Sequence, residues 1–109
     1  MTADLAAAAF QALGDANRRV ILEELRSGER SVVELTRRLG ISQPSVSRHL
    51  RLLKNAGLVE DEPAGARRLY RLRDEGAEAV RAYMEQVWGE ATARFRFAAA
   101  NPPRPQARP

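Results

Sequence analysis

One stretch of this 109-residue sequence, Ser42 to Gly57, concentrates side chains that can bind bases and phosphates. Glutamine can form two hydrogen bonds to adenine, arginine can do the same with guanine, and serine adapts to several partners. The polar side chains concerned are Gln43, Ser45, Ser47, Arg48, Arg51 and Lys54. They predict a surface that contacts DNA, and a solvated basic helix face is the alternative.

The same stretch has the marks of a single helix. Ser42 is a favourable N-cap, Pro44 is tolerated in the first turn, and Gly57 stands just past the end, where a left-handed residue is often needed. Val46, Leu50 and Leu53 recur at helical spacing and form an apolar stripe. The polar side chains therefore project from the side of the helix that does not pack.

A second, shorter helix precedes this one. Ser31 and Glu34 have the spacing of a capping box, and Gly40 ends the segment. Only Ile41 and Ser42 separate Gly40 from the next helix, and Ile41 is expected to pin the two helices together. Two capped helices joined by a short glycine-containing turn predict a helix-turn-helix.

The hydrophobic period changes after Gly57. Residues 58–62 and 67–73 are expected to form two strands, joined by a Pro/Gly turn over residues 63–66. A hairpin directly after the polar helix would be a wing, with Arg67 and Arg68 at its tip. These arginines are predicted to reach DNA phosphate or the minor groove, and a charged edge that discourages aggregation is the alternative.

Two further helices are expected before this unit and one after it. The first covers the alanine-rich residues 3–13, and the second begins after the N-cap Asp15 and runs to about Arg26. Arg18 and Arg19 of the second helix are expected to be solvated, with phosphate contact as the alternative.

The last helix, from Asp74 to about Phe97, has a broad apolar face. The flat alanine-rich first helix would lie on the protein's own core or on a partner subunit. Together the first and last helices predict a homodimer interface. Its residues are Leu5, Ala9, Ala12, Val80, Met84, Val87, Trp88 and Ala91. Trp88 could instead line a ligand pocket, although packing is the more common role of an aromatic residue at helical spacing.

Charge and composition agree with this organisation. The chain carries a net charge of +4, and residues 31–73 hold nine basic against four acidic side chains. A basic zone between near-neutral ends is typical of a surface that binds polyanions. We expect one domain over residues 1–97 and a disordered Pro/Arg-rich tail over residues 98–109. The fold expected is mainly α with a small β-hairpin, in the order α-α-α-α-β-β-α.

Several classes of function are disfavoured. The sequence has no cysteine and a single histidine, His49, which we interpret as a packing residue, so no metal site or cofactor is expected. The sequence has neither a phosphate-binding glycine loop nor a cluster of convergent polar groups, so an enzyme is not expected. The sequence has no apolar run of about 18 residues and no basic start of a secretory signal, so a cytoplasmic location is expected.

The order of elements resembles the winged helix-turn-helix of ArsR-type bacterial transcription regulators. The matching segments are FQALGDANRRVILEEL, SVVELTRRLGISQPSVSRHLRLLKNAGLV and ARRLYRL. The resemblance implies a homodimeric DNA-binding repressor, paired through its first and last helices. It also implies that Gln43, Ser45, Ser47 and Arg48 read bases and that Arg51 contacts the backbone of the DNA.

The sequence departs from this family at the positions where many members bind metal. A Cys-x-Cys pair is common in the third helix, where this chain has Val33-Glu34-Leu35-Thr36. Other members use Asp/His and His/Glu pairs on the last helix, which here has acids but no histidine. Asp74 with Glu78 could grip a cation, although acids also suit the first turn of a helix.

The function predicted is a dimeric, sequence-specific regulator that binds a pseudo-palindromic operator on double-stranded DNA and represses by occluding a promoter. Two alternatives remain. One is a ligand- or metal-responsive sensor with an effector site between the last helices. The other is a winged-helix module that binds protein, which would show no sequence preference for DNA.

Overall fold

The computed structural model describes residues 2–100, with the side chains of residues 4–91 and 93–100. Its helices are α1 (Thr2–Leu13), α2 (Ala16–Glu24) followed by a 3-10 turn (Leu25–Ser27), α3 (Val32–Leu39), α4 (Gln43–Asn55) and α5 (Asp74–Ala100). Its strands are β1 (Arg30–Ser31), β2 (Val59–Ala64) and β3 (Arg67–Leu72). The predicted mainly helical winged helix-turn-helix is confirmed, with one short strand added.

The added strand changes the hairpin into a three-stranded antiparallel sheet of order β1-β3-β2. Strand β1 pairs Arg30 with Tyr70 and Ser31 with Leu69. On the other side, β2 pairs with β3 from Val59↔Leu72 to Ala64↔Arg67. The wing is therefore attached through the middle of β3 to the two residues that immediately precede α3.

The hydrophobic core lies where the helices meet the inner end of the sheet. Its fully buried side chains are Ile21, Leu35, Val46, Leu50, Leu53 and Val59. Three of them form the predicted apolar stripe of α4. Ile41 of the turn packs against this core, as expected for a residue that pins α3 to α4. The core thus holds α4 by one side and leaves the other side to solvent.

Helix α1 packs within its own protomer, against α5, α2 and α4. Ala9 is 0% exposed and Ala12 is 4% exposed, so neither side chain is available to a partner subunit. The other six positions of the predicted dimer interface remain a prediction. Phe10 meets Tyr83 of α5 edge-on, with ring centroids 5.3 Å apart and planes at 78°.

Helices α2 and α3 begin with the predicted N-cap hydrogen bonds. The Asp15 carboxylate accepts from the backbone N–H groups of Asn17 and Arg18, which lowers its pKa. At α3 the Ser31 hydroxyl accepts from the Glu34 N–H at 3.2 Å, and the Glu34 carboxylate accepts from the Ser31 N–H at 3.1 Å. The bond that the Glu34 carboxylate accepts from the Ser31 N–H is the largest of the effects that lower the pKa of Glu34.

The end of helix α4 contacts the first turn of helix α5 in space. Gly57 adopts a left-handed φ of +69°, and the N–H groups of Gly57 and Leu58 donate to the carbonyls of Lys54 and Leu53, each at 3.0 Å. The Gly76 N–H then donates to the Gly57 carbonyl at 2.8 Å. A Cβ at Gly76 would overlap the carbonyl oxygen of Ala56 and lie 3.0 Å from Leu58 Cδ2. The two helices therefore meet backbone to backbone.

Helix α5 continues to Ala100, three residues past the predicted end at Phe97. Residues 101–109 of the predicted tail lie outside the described residues. No helix between residues 2 and 100 has an apolar stretch long enough to cross a bilayer.

We expect Gly76→Ala to lower the free energy of unfolding by about 1–3 kcal/mol, because the added methyl group forces α4 and α5 apart. Chemical denaturation monitored by circular dichroism measures this. Gly89→Ala on the same helix is the control: its methyl group would meet only the flexible end of the Glu85 side chain. That variant is expected to be neutral or slightly stabilised. Equal losses in both variants would contradict the close contact at Gly76.

The capping box makes stability depend on pH. The pKa of Glu34 is depressed in the folded state, so its ionised form stabilises the protein fully above its ordinary pKa of 4.5, and this contribution is lost as the pH falls through the folded pKa. Wild type should therefore be more stable than Glu34→Gln near neutral pH, and the difference should vanish in acid. Urea unfolding across that range measures it, with Glu85→Gln on α5 as control. A difference that stays constant with pH would contradict it.

Candidate nucleic-acid interface

The solvent-facing side of α4 carries the predicted DNA-binding residues. Gln43, Ser47, Arg48 and Arg51 are all exposed, whereas His49 and Leu50 between them are buried. Within the described part of the chain, these four exposed side chains form no hydrogen bond or ion pair. Their donors and acceptors are therefore available to an external partner. We call this set of four the α4 face.

Ser45 differs from the α4 face. It is half-buried, and its hydroxyl accepts a 2.8 Å hydrogen bond from the Ser42 hydroxyl. The Ser45 N–H in turn donates to the Ser42 oxygen at 3.3 Å, which is the N-cap bond of α4. Ser45 thus belongs to the start of the helix as much as to the predicted base-reading surface.

The wing turns at Gly65 and Ala66 and places Arg67 in solvent at its tip. Arg68 behaves differently, because its Nε donates to Asp61 Oδ2 at 2.6 Å. Lys54 of α4 binds the other oxygen of the same carboxylate at 2.8 Å. Two of the eight predicted DNA-binding residues, Lys54 and Arg68, are therefore already bonded to another residue of the protein.

Other charges of the wing are also paired. Arg71 donates to Glu60 at 3.1 Å and to Glu62 at 2.8 Å, and these carboxylates raise its pKa. Lys54 and Arg68 together lower the pKa of Asp61. The wing is thus less positive than its arginine content indicates, and the α4 face is the most available cationic surface near it.

Known proteins are similar to this chain in sequence and fold. The sequence profile described as the bacterial regulatory protein, arsR family, matches residues 15–61. The HTH-type transcriptional regulator Rv2034 of Mycobacterium tuberculosis is 48% identical to this chain over 76% of the chain and 78% of that protein. The chain belongs to the ArsR family.

Two further comparisons agree with this assignment. The HTH-type transcriptional repressor SmtB of M. tuberculosis is 44% identical over 65% of this chain and 53% of that protein. The homodimeric winged helix-turn-helix DNA-binding domain of a possible ArsR-family regulator from Mycobacterium bovis has a TM-score of 0.63 and 29% identity, covering 88% of this chain and 84% of that one. This ArsR-family chain is accordingly a DNA-binding transcriptional regulator and not an enzyme.

The predicted dimer surface of this ArsR-family protein lies along α5. Val80 packs partly against the core, and Leu5 is half-buried on α1. Met84, Val87, Trp88 and Ala91 are exposed, with Val87 and Trp88 each 50% accessible. An apolar row of this length on one helix face is unusual for a surface that stays in water.

Two acidic residues at positions where other family members bind metal make other contacts in this structure. Glu34 is committed to the capping box, and its neighbours in α3 are apolar. Glu78 of α5 binds Arg81 at 3.0 Å. Among the described residues, no three His, Cys, Asp or Glu side chains come together as a metal site.

Arg18 and Arg19, which the sequence analysis expected to be solvated, bind the end of α1. Arg18 donates to the Ala12 carbonyl at 2.7 Å, and Arg19 donates to the Leu13 carbonyl at 2.7 Å. Arg18 Nη1 also lies 3.4 Å from Nδ1 of the buried His49, as expected for the packing role of that histidine. Because arginine only donates, this ring nitrogen is the acceptor.

Sequence reasoning missed the contact of Asp61 with two of the predicted DNA-binding residues, Lys54 and Arg68. The position of Asp61 in an acidic run, Glu60-Asp61-Glu62, indicated only a charged strand. Strand alternation could have shown that Asp61 points to the opposite side from its two acidic neighbours. That the opposite side holds both Lys54 and Arg68 depends on the tertiary structure.

Proposed function

We propose that this ArsR-family chain acts in the cytoplasm, at the nucleoid, as a homodimeric repressor that reads a pseudo-palindromic operator and occludes the promoter. The observation that carries the proposal is the α4 face: a helix held by the core on one side and unpaired on the other. A recognition helix needs this arrangement, because base edges must be met by donors and acceptors that the protein has not already used.

The division of labour follows from side-chain chemistry. Gln43 and Ser47, near the start of α4, can bond base edges in the major groove, and Arg48 can bond guanine through two donors. Arg51, a turn further on, can bind a phosphate, and Arg67 at the wing tip can bind the adjacent backbone. Base contacts supply the sequence preference, and phosphate contacts supply register and salt-dependent affinity.

Pairing through α5 would place two α4 helices on one side of the dimer. Their half-sites would then lie about one helical turn, ~34 Å, apart along the DNA. Exposed Met84, Val87 and Trp88 support this pairing, because burying such side chains removes apolar area from water. The homodimeric state of the M. bovis domain supports a homodimer for this chain as well.

Repression and metal independence are the finer parts of the proposal. The similar protein SmtB is named a repressor, and a bound dimer that covers a promoter excludes polymerase without further machinery. Metal independence is proposed because the third helix has no Cys-x-Cys pair and the last helix has no histidine. A chelator should then leave DNA binding unchanged.

Fluorescence anisotropy tests the sequence-specific DNA binding and the metal independence of the proposal. The purified protein is titrated into a duplex from upstream of its own gene and into a scrambled duplex of equal length, at two salt concentrations, with and without a chelator. We expect a dissociation constant of roughly 10⁻⁸ M or tighter for the operator, steep weakening with salt, and no effect of the chelator.

Each other result has a definite meaning. Equal weak binding to both duplexes would contradict regulation of its own gene and would favour the protein-binding alternative. Binding that appears or collapses with the chelator would contradict metal independence and favour a metal-responsive sensor.

Arg48→Ala is expected to weaken operator binding by about 1–3 kcal/mol, or roughly 5- to 150-fold, and to relax the base preference. Arg67→Ala should instead weaken operator and scrambled DNA alike, because it removes only a phosphate contact. Anisotropy with both duplexes separates the two variants. Operator affinity that is unchanged in Arg48→Ala would show that α4 does not read bases as proposed.

Val87→Glu is expected to shift the protein from dimer to monomer and to weaken operator binding, because it buries a charge in the α5 pairing. Sedimentation velocity measures the oligomeric state. Gln86→Glu is the matched control, since it adds the same charge to the polar side of α5. A Val87→Glu protein that stays dimeric would mean that α5 does not form the interface.

A further inference from the structure

The Asp61 carboxylate joins the two elements of the proposed DNA interface. Its Oδ1 accepts from Lys54 Nζ of α4 at 2.8 Å, and its Oδ2 accepts from Arg68 Nε of the wing at 2.6 Å. The Asp61 side chain is only 5% exposed, whereas those of Lys54 and Arg68 are each 53% exposed. One shielded acid thus holds two accessible cations.

The other acids of β2 do not connect the wing to α4. Glu60 and Glu62 both bind Arg71, which lies in the neighbouring strand β3. Their bonds stay within the sheet, and both carboxylates are more accessible than that of Asp61. Removing either charge would change the electrostatics of the wing without releasing a side chain of α4.

We propose that Asp61 is a specificity-determining residue, which positions the wing against α4 and withholds Lys54 and Arg68 from sequence-independent phosphate binding. The inference rests on the proposed DNA-binding function of the α4 face. Because Asp61 itself touches no base, it acts through its two partners.

The effect on DNA that lacks an operator follows from electrostatics. Binding to such DNA is driven by release of counterions as lysines and arginines neutralise phosphates. A carboxylate within 2.8 Å of both cations offsets part of their charge and would itself be repelled by phosphate. Asp61 therefore lowers the affinity of the interface for any duplex.

The effect on operator DNA has a second, opposing part. Base contacts from α4 and backbone contacts from the wing must be made together, so the wing has to stand in one position relative to α4. The two bonds of Asp61 hold it there before DNA arrives, which reduces the cost of ordering the interface on binding. For operator DNA, this gain in affinity offsets the loss that the negative charge causes. The ratio of operator to scrambled affinity therefore rises.

The test uses the full chain and two duplexes, the one that wild type selects from a randomised pool and a scrambled version. In Asp61→Asn we expect scrambled binding to tighten by about tenfold, with a salt slope steeper by about one, as for one or two additional phosphate contacts. The ratio of operator to scrambled affinity should fall by about tenfold. Glu62→Gln is the matched control, because it removes the same charge from the same strand but leaves Lys54 and Arg68 in place.

Asp61→Glu separates charge from position. It keeps the negative charge but adds one methylene group, so its salt slope on scrambled DNA should stay that of wild type while operator affinity falls. Thermal unfolding of each variant shows whether the fold is retained. If Asp61→Asn unfolds, two other variants test the inference. One is Asp61→Glu, and the other is the double variant Lys54→Gln/Arg68→Gln, which should weaken binding to scrambled DNA by only a few-fold.

Three results would overturn the inference. The first is scrambled affinity and salt slope in Asp61→Asn equal to those of wild type. The second is an equal change in Asp61→Asn and Glu62→Gln, which would reduce the effect to net charge. The third is a large loss of scrambled binding in Lys54→Gln/Arg68→Gln, since the two cations would then already contact phosphate. A wild-type protein without any preference among duplexes would overturn the proposed function itself, which distinguishes the two failures.

Discussion

The backbone contact between Gly57 and Gly76 is the constraint on which the arrangement of the protein depends. It joins the end of α4 to the first turn of α5 by a 2.8 Å hydrogen bond, and the Arg73 N–H donates to the Leu58 carbonyl at 3.0 Å beside it. Helix α4, the wing strand β3 and α5 therefore meet through main-chain atoms. Main-chain contacts permit little rotation, so the direction of α5 determines where a partner paired through α5 would place its own α4.

The basic residues divide into those that build the fold and those left for a partner. Arg18 and Arg19 bind the carbonyls at the end of α1, Arg38 pairs with Glu24, and Arg71 pairs within the sheet. Formal net charge counts all of them equally. Only the cations without an internal partner attract phosphate at full strength, and in the structure the α4 face has two of these. The distribution of paired charge therefore says more about binding than the sum.

The helices were predictable because their signals are local. Ser31 with Glu34 and Ser42 with its downstream N–H groups act over three residues, and the apolar stripe of α4 repeats every turn. Strand β1 was missed because two residues carry no period and their pairing with β3 depends on residues almost forty positions away. Two other features also depend on residues distant in the sequence. Composition alone did not decide whether α1 packs on the core or on a partner subunit, and it did not indicate the carbonyl acceptors of Arg18.

The near-neutral wing affects how tightly this ArsR-family chain can bind DNA that lacks an operator. A strongly basic wing would bind every duplex, and the base contacts of α4 would then add a small increment to a large common affinity. With Arg68 and Arg71 paired internally, the common part is smaller, and the same base contacts account for a larger share of the total. Specificity is a difference between affinities, so a part common to all duplexes cancels from it. The near-neutral wing therefore lowers the occupancy of DNA without an operator, and the base contacts proposed for α4 determine the preference among sequences.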